Sequence, residues 1–436
     1  MLPFEIGLLA LAAMAVLVFI GMYVAVAMIL CSFVGVWAIK GSPELAAKML
    51  GLAANEVISS YFFGVVPLFV FMGFLVAETG MGRDAFDVAN TLSKKIKGGL
   101  AVGTIGANAI FAAVTGISIA SAAVFSKIAL PELDRHGYSK RFAVGVVAGS
   151  SLLGMLIPPS LLLILFGLLA EQSIGDLFLA GIGPGLLLAT LFSLGTVLMA
   201  VFFPDFVGRH LSSDSSALST MEMISKALPL AVLIAFVLGG IYTGWITPVE
   251  AGAVGAIGAI VVGLAKRKLT PAVFWRVLLE TGAVTAAVCF LIIAAQMYSR
   301  MLAFSGLPNH FGQLILSGNL DATQLIVIYS LVVILFGMIL DSSSIMLILV
   351  PLMLPIVVPM GVDLIWFGIV TVIAVEIGLL TPPFGISVYV IKSTINDPDV
   401  SLQDIFIGAA PFALIMLVCL ASVIAFPPIA LGLVGN

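Results

Sequence analysis

Long apolar runs, broken by brief polar, glycine-bearing or proline-bearing interruptions, dominate the chain. Residues 4–20 and 21–39 read as two helices in close succession. A short polar stretch follows from Lys40 to Glu56, containing Pro43, and then an apolar run from Tyr61 to Ala77. Further runs cover 98–131, 142–170, 177–203, 227–247, 249–265, 281–304, 322–360, 364–391 and 405–434. A membrane-crossing helix needs about 20 predominantly apolar residues, so the apolar content predicts roughly ten passes. Residues 83–97, RDAFDVANTLSKKIK, set Phe86, Val88, Leu92 and Ile96 among charges, which suits an amphipathic helix at the membrane surface. The one flexible-looking hydrophilic loop is 204–225, with its tract LSSDSSALST, close to the middle of the chain.

Composition narrows the class. Of 436 residues 62% are hydrophobic and only 9% are charged, 18 Lys and Arg against 22 Asp and Glu. A soluble domain carries about 25% charged residues, so a soluble enzyme or a nucleic-acid binder is excluded and an all-α polytopic membrane protein is expected. Cys31, Cys289 and Cys419 each sit alone in an apolar run, and His136, His210 and His310 are far apart. Neither a disulfide framework nor a metal or catalytic centre built on His or Cys has support, and no enzymatic activity is expected. The N-terminus starts at once on an apolar run with no basic leader, so it reads as a first membrane helix and not as a removed signal peptide.

The two halves resemble each other. Slid by 224 positions, Ser118 meets Ser342, Pro131 meets Pro355, Gly137 meets Gly361, Gly154 meets Gly378, and Pro158-Pro159 meets Pro382-Pro383. A collinear set that includes a duplicated Pro-Pro marks an internal duplication. Eight Lys and Arg lie in 83–141, whereas the matching stretch 301–363 has none. Cytoplasmic loops are enriched in basic residues, so the copies are expected to be inverted in the membrane. The division is 1–203 for the first repeat, 204–225 for a cytoplasmic linker and 226–436 for the second repeat. Lys266-Arg267-Lys268 and Lys392 then face the cytoplasm, and both termini face away from it.

The candidate chemistry sits at the interruptions. In 98–131, Thr115-Gly116-Ile117-Ser118 breaks an apolar run that basic residues flank at both ends, the pattern of a re-entrant helical hairpin; 322–355 repeats it with Asp341-Ser342-Ser343-Ser344. A non-helical tip at membrane depth frees carbonyls that need partners, and hydroxyl, carbonyl and carboxylate oxygens are hard ligands that suit Na⁺. Ser118 or Ser342 alone serves equally well to bond a helical turn. For Asp341 an ion or substrate role is favoured, because a carboxylate at the bilayer centre costs at least ~2.5 kcal/mol. The second pair of interruptions is GMLIPPS and GLLTPPF, where consecutive prolines break the helix. The half-helix that follows each break offers free N–H groups to a carboxylate. Glu376 suits a proton carrier, an ion ligand or a packed protonated carboxyl; Arg300 suits snorkelling to the interface; Glu250 suits a helix start.

The run PELDRHGYSKRFAVGVVAGSSLLGMLIPPS and its partner from Asp341 to Val390, together with the duplicated Gly-x-x-(Ile/Leu)-(Ile/Thr)-Pro-Pro, resemble the large membrane subunit of tripartite ATP-independent periplasmic (TRAP) transporters. The resemblance spans essentially the whole chain. It implies a bacterial or archaeal inner-membrane importer of an organic acid driven by Na⁺, as a C4-dicarboxylate, sialic acid or related carboxylate system. It also implies a small four-helix membrane subunit, a periplasmic substrate-binding protein, and an elevator motion of two hairpins and two interrupted helices against a scaffold. Thr115, Gly116, Ser118, Gly154 and Pro158 would form one Na⁺ site. Asp341, Ser342, Ser343, Gly378 and Thr381 would form the other, with Pro159, Ser160, Pro383 and Glu376 towards substrate. The first tip reads Thr-Gly-Ile-Ser where Ser-Gly-Ser-Ser is usual in the family. The competing reading is a stand-alone Na⁺/dicarboxylate symporter of similar architecture that needs no binding protein.

Overall fold

A computed structural model describes residues 2–208, 218–317, 320–383, 385–395, 397 and 399–435. Every regular element among them is a helix. The chain opens with α1 (Pro3–Phe19), α2 (Val24–Lys40) and α3 (Pro43–Ser59). Most of α3 lies in the stretch expected to be a polar connection. Ser42 caps it by accepting the Leu45 N–H at 3.2 Å, and Pro43 occupies its first turn. Its buried residues Ala46, Ala53 and Val57 share one face, so the helix is amphipathic and leaves no apolar run to read.

After a 3₁₀ turn at Tyr61–Gly64 come α4 (Val65–Glu78) and the amphipathic α5 (Met81–Ser93), as expected from its mixed pattern. Then follow α6 (Gly99–Thr115), α7 (Ser118–Arg135), α8 (Lys140–Ser151), the single turn α9 (Leu153–Leu156), α10 (Leu161–Ala170), α11 (Ile174–Phe202) and the short α12 (Pro204–Val207). Much of the expected Ser-rich linker, residues 209–217, and His210 with it, lies outside the described residues. Its flanks are helical rather than loop, because α13 (Thr220–Tyr242) starts at a reciprocal Ser219–Glu222 cap.

The second half holds α14 (Pro248–Ala265), α15 (Pro271–Ser305), α16 (Leu307–Ser317), α17 (Ala322–Gly337), α18 (Ser342–Val357), α19 (Leu364–Leu380), α20 (Ile386–Thr394), α21 (Leu402–Ala425) and α22 (Pro428–Leu431). Glu250 closes a reciprocal cap with Thr247, the structural role expected of it. α15 starts ten residues before the expected run. Thr270 caps it, and Arg276, which hid it from a hydropathy reading, pairs with Glu78 at 2.5 Å. Arg300 does not snorkel free: it reaches Glu56 at 2.6 Å and the Met49 carbonyl at 2.9 Å, tying α15 to α3. Among the described residues seven stretches are long and apolar enough to cross a membrane by length and composition, two of them, Tyr61–Glu78 and Lys140–Ala170, running through consecutive elements.

Two groups of helices emerge. In the outer group α15 packs on α2, α3 and α4, and α4 on α14. α14 and α15 also turn large apolar residues outward, such as Ile257, Val261 and Leu279, which suits contact with lipid. The inner group centres on α19, in which every residue from Ile365 to Leu380 is buried. α8 and α21 cross so closely that a Cβ on Gly145 would lie 2.9 Å from the Gly408 Cα. α5 packs along α6 and is pinned to the outer group by Asp84–Lys266 and Asp87–Lys226 ion pairs. At one end of α8, Lys140 reaches Asp397 at 2.6 Å and Asp399 at 3.3 Å. The hydrogen bond from Lys140 holds the Asp397 carboxyl below its ordinary range.

Candidate functional site

Both expected hairpins and both expected breaks are present. α6 ends at Thr115, whose hydroxyl donates back to the Phe111 carbonyl at 3.0 Å. Gly116 caps it in the left-handed region at φ +65, and Ile117 is extended before α7 starts at Ser118. The chain therefore reverses within two residues. In the second copy α17 ends at Gly337, and Asp341 caps α18 by accepting from the Ser344 N–H at 3.1 Å and the Ser344 hydroxyl at 2.5 Å.

At the first break Ile157 is extended, Pro158-Pro159 is cis, and Ser160 restarts the helix by accepting the Leu163 N–H at 3.3 Å while its hydroxyl donates to the Met155 carbonyl. At the second, Thr381 is extended, Pro382-Pro383 is cis, and Gly385 precedes α20 without a side-chain cap. The Thr381 hydroxyl turns back to the Ile377 carbonyl at 2.8 Å.

The first tip is seated on the first break. The Leu161 N–H donates to the Gly116 carbonyl at 3.1 Å. A Cβ on Gly154 would stand 3.2 Å from the backbone of Ile117 and Ser118, and one on Gly116 would strike the Pro159 carbonyl. Thr115, Gly116, Ser118 and Gly154 are thus brought together with Pro159 and Ser160. Pro158 is set apart, its ring lying near Gly181 of α11. Ser118 is fully buried and its hydroxyl has no hydrogen-bond partner among the described residues.

The second tip meets its broken helix through glycines. A Cβ on Gly378 would come within 2.5 Å of the Gly337 Cα. Ser342 is buried and Ser343 half-buried, but Asp341 is exposed, and Pro382 and Pro383 are exposed where Pro158 and Pro159 are buried. Asp341 therefore stands at the rim of its tip and not in the interior. Asn keeps the capping oxygen and Ala does not, so Asp341→Ala is expected to cost about 1 kcal/mol of stability and Asp341→Asn much less. Thermal unfolding of the two purified variants checks this.

Further correspondences were not legible along the chain. The Asn108 amide donates to the Ser150 hydroxyl at 2.7 Å, and the Thr371 hydroxyl bonds Tyr329 at 3.2 Å. Each pair spans 42 residues and ties a hairpin to the first part of a broken helix. The hairpins also exchange partners, α7 packing on α20 and α18 on α10. Glu376 is buried on α19, its carboxylate oxygens without a hydrogen-bond partner among the described residues. A cavity of ≈ 940 Å³ at the border of the two helix groups is lined by Glu56, Glu171, Asp176 and Tyr242 among others, and by none of the expected site residues.

Paired hairpins seated on paired interrupted helices, with only helices and seven apolar spans among the described residues, define a multi-pass membrane transporter. Comparison narrows this class to a family: residues 11–429 match the one described as tripartite ATP-independent periplasmic transporter, DctM component, and the chain belongs to it. It is 33% identical over 90% of its length to the C4-dicarboxylate TRAP transporter large permease DctM of Pseudomonas aeruginosa, covering 90% of that protein. It is 30% identical to the 2,3-diketo-L-gulonate TRAP transporter large permease YiaN of Escherichia coli, over 92% of this chain and 95% of that one. In fold it is similar to the YdaH transporter of Alcanivorax borkumensis, with a TM-score of 0.59 at 16% identity over 85% of this chain and 86% of that one. The chain is thus the large membrane component of a TRAP secondary transporter and a multi-pass inner-membrane protein.

Proposed function

We propose that the chain imports a small organic acid together with Na⁺, acting with a small four-helix membrane subunit and a periplasmic substrate-binding protein. The observation that carries this reading is the seating of the first tip on the first break. It brings Gly116 and Ser118 of the tip against Gly154 and Pro159 of the break, and the Ser118 hydroxyl, without a partner among the described residues, leaves oxygen lone pairs there for a hard cation. The second tip supplies the counterpart from Asp341, Ser342, Ser343, Gly378 and Thr381. Substrate lies between the two, against Pro159, Ser160 and Pro383. Relatives described as permeases for C4-dicarboxylates and 2,3-diketo-L-gulonate support a carboxylate as cargo.

The repeats 1–203 and 226–436, joined by 204–225, are inverted copies. The hairpins and broken helices slide as an elevator against α1–α4 and α13–α15, with α5 as the arm between them. The test is uptake of candidate acids into proteoliposomes, with and without an inward Na⁺ gradient and with the binding protein present or omitted. Uptake is expected to need both. Uptake that persists without the binding protein would make the chain a stand-alone symporter, and uptake indifferent to Na⁺ would remove the ion sites. Asp341→Asn is expected to raise the Na⁺ concentration for half-maximal uptake only a few-fold, since a charge at the rim is partly screened by water.

A further inference from the structure

Glu376 is the only Asp, Glu, Lys or Arg that is buried among the described residues, at 1% exposed. A buried charge is stable only when paired or ligated, and the described residues offer it no counter-charge. Of the helices packed against α19, the sequences of α9, α10, α17, α18 and α22 contain no charged residue. α11 has only Asp176, in its first turn. On α20, Lys392 is spent on the carbonyls of Asp397 and Val400, and on α21, Asp404 pairs with Arg141 at 2.5 Å. Ser342 starts α18, which packs on α19, and its hydroxyl lies near the Glu376 carboxyl without a hydrogen bond between them.

The first copy has no equivalent. The position 224 residues before Glu376 is Leu152, and the one before Asp341 is Ile117. The two tips are therefore chemically different, the first offering neutral oxygens only and the second a buried carboxylate, Glu376, behind the rim carboxylate of Asp341.

Resting on the Na⁺-coupled reading above, we propose that Glu376 and Ser342 form an anionic seat for one monovalent cation beneath the second tip, filled before substrate arrives. Glu376 balances one positive charge inside the protein, while Asp341 at the rim is engaged by Ser344 and exposed, where water screens it. A cation among the neutral oxygens of the first tip has no such balance and is held only together with the negative charge of the substrate. The two seats then divide the work: the second prepares the site, and the first couples ion to cargo.

The experiment uses the chain in lipid nanodiscs with its small membrane partner present and no substrate. Thermal unfolding and ²²Na⁺ binding are followed as NaCl replaces choline chloride at constant ionic strength. Wild type is expected to be stabilised by Na⁺ alone. Glu376→Gln is expected to raise the half-saturating Na⁺ concentration about tenfold or more, since losing 1.4 kcal/mol of binding is tenfold; Glu376→Asp retains part of the response. If Glu376→Gln binds Na⁺ as wild type does, the carboxyl is a packed neutral group and the proposal is overturned, while Na⁺-dependent uptake still stands. If wild type shows neither Na⁺ binding nor Na⁺-dependent uptake, the coupling reading fails and this one with it. Should Glu376→Gln not fold, Ser342→Ala decides: a several-fold weaker Na⁺ response supports the seat, and an unchanged one overturns it.

Discussion

Gly116→Ala is expected to lower uptake at least about 100-fold, a loss of roughly 3 kcal/mol, while the protein still inserts and purifies as a folded chain. Two effects act on one methyl group. Gly116 sits at φ +65, where a side chain costs about 1–2 kcal/mol. The added Cβ also meets the Pro159 carbonyl oxygen, which no rotamer can relieve. The tip must lift from the break, which gives up the Leu161 N–H to Gly116 carbonyl bond of 3.1 Å and spreads the oxygens that gather there. Proteoliposome uptake, set beside size-exclusion behaviour and thermal unfolding, measures this. Uptake near the wild-type rate would mean that contact between tip and break has no part in transport.

The second large effect is on stability. Gly145→Leu is expected to destabilise the protein by about 3 kcal/mol, the upper range for overpacking. Its Cβ would fall on the carbonyl of Gly408, and one on Gly408 would fall on the carbonyl of Arg141. Here a helix of the first half and a helix of the second touch backbone to backbone, so neither side chain nor rotamer can yield. The paired change Gly145→Ala with Gly408→Ala is expected to cost less than the sum of the single changes, because spreading the helices once accommodates both. Gly282→Ala on α15 is the control: nothing lies within 4 Å of its added Cβ. There helix propensity alone acts, and a gain of up to about 1 kcal/mol is expected. Equal losses at Gly145 and Gly282 would remove the close crossing as the cause.

How far the fold was legible followed from how local its signals are. The breaks at Pro158 and Pro382 were readable because each opens a pair of consecutive prolines, which removes two backbone donors together, whereas a single proline such as Pro184 stays within its helix. The tips were readable because a Gly and hydroxyls interrupting a long apolar run leave few alternatives to a reversal. α3 was missed because its buried face is made of well-spaced small residues, and the start of α15 because Arg276 and Glu280 interrupt its apolar pattern. Asp341 drew attention as a carboxylate inside an apolar stretch, yet its exposure and its bonds to Ser344 make it a cap at the rim. Nothing local distinguishes that capping Asp from an inward-facing one, since both precede a helix.

The sequence by itself determined the membrane class, the duplication, and the positions of both hairpins and both breaks, because length, hydropathy and proline act on each segment separately. Only the tertiary structure decided that the first tip rests on its break while the second break stays exposed, and that α7 and α18 each pack on a half-helix of the other repeat. It alone decided, too, that Glu376 is enclosed without a counter-charge among the described residues. Those features depend on which backbones approach closely enough to exclude a Cβ and which helices surround a given side chain, and both are set by segments far apart along the chain.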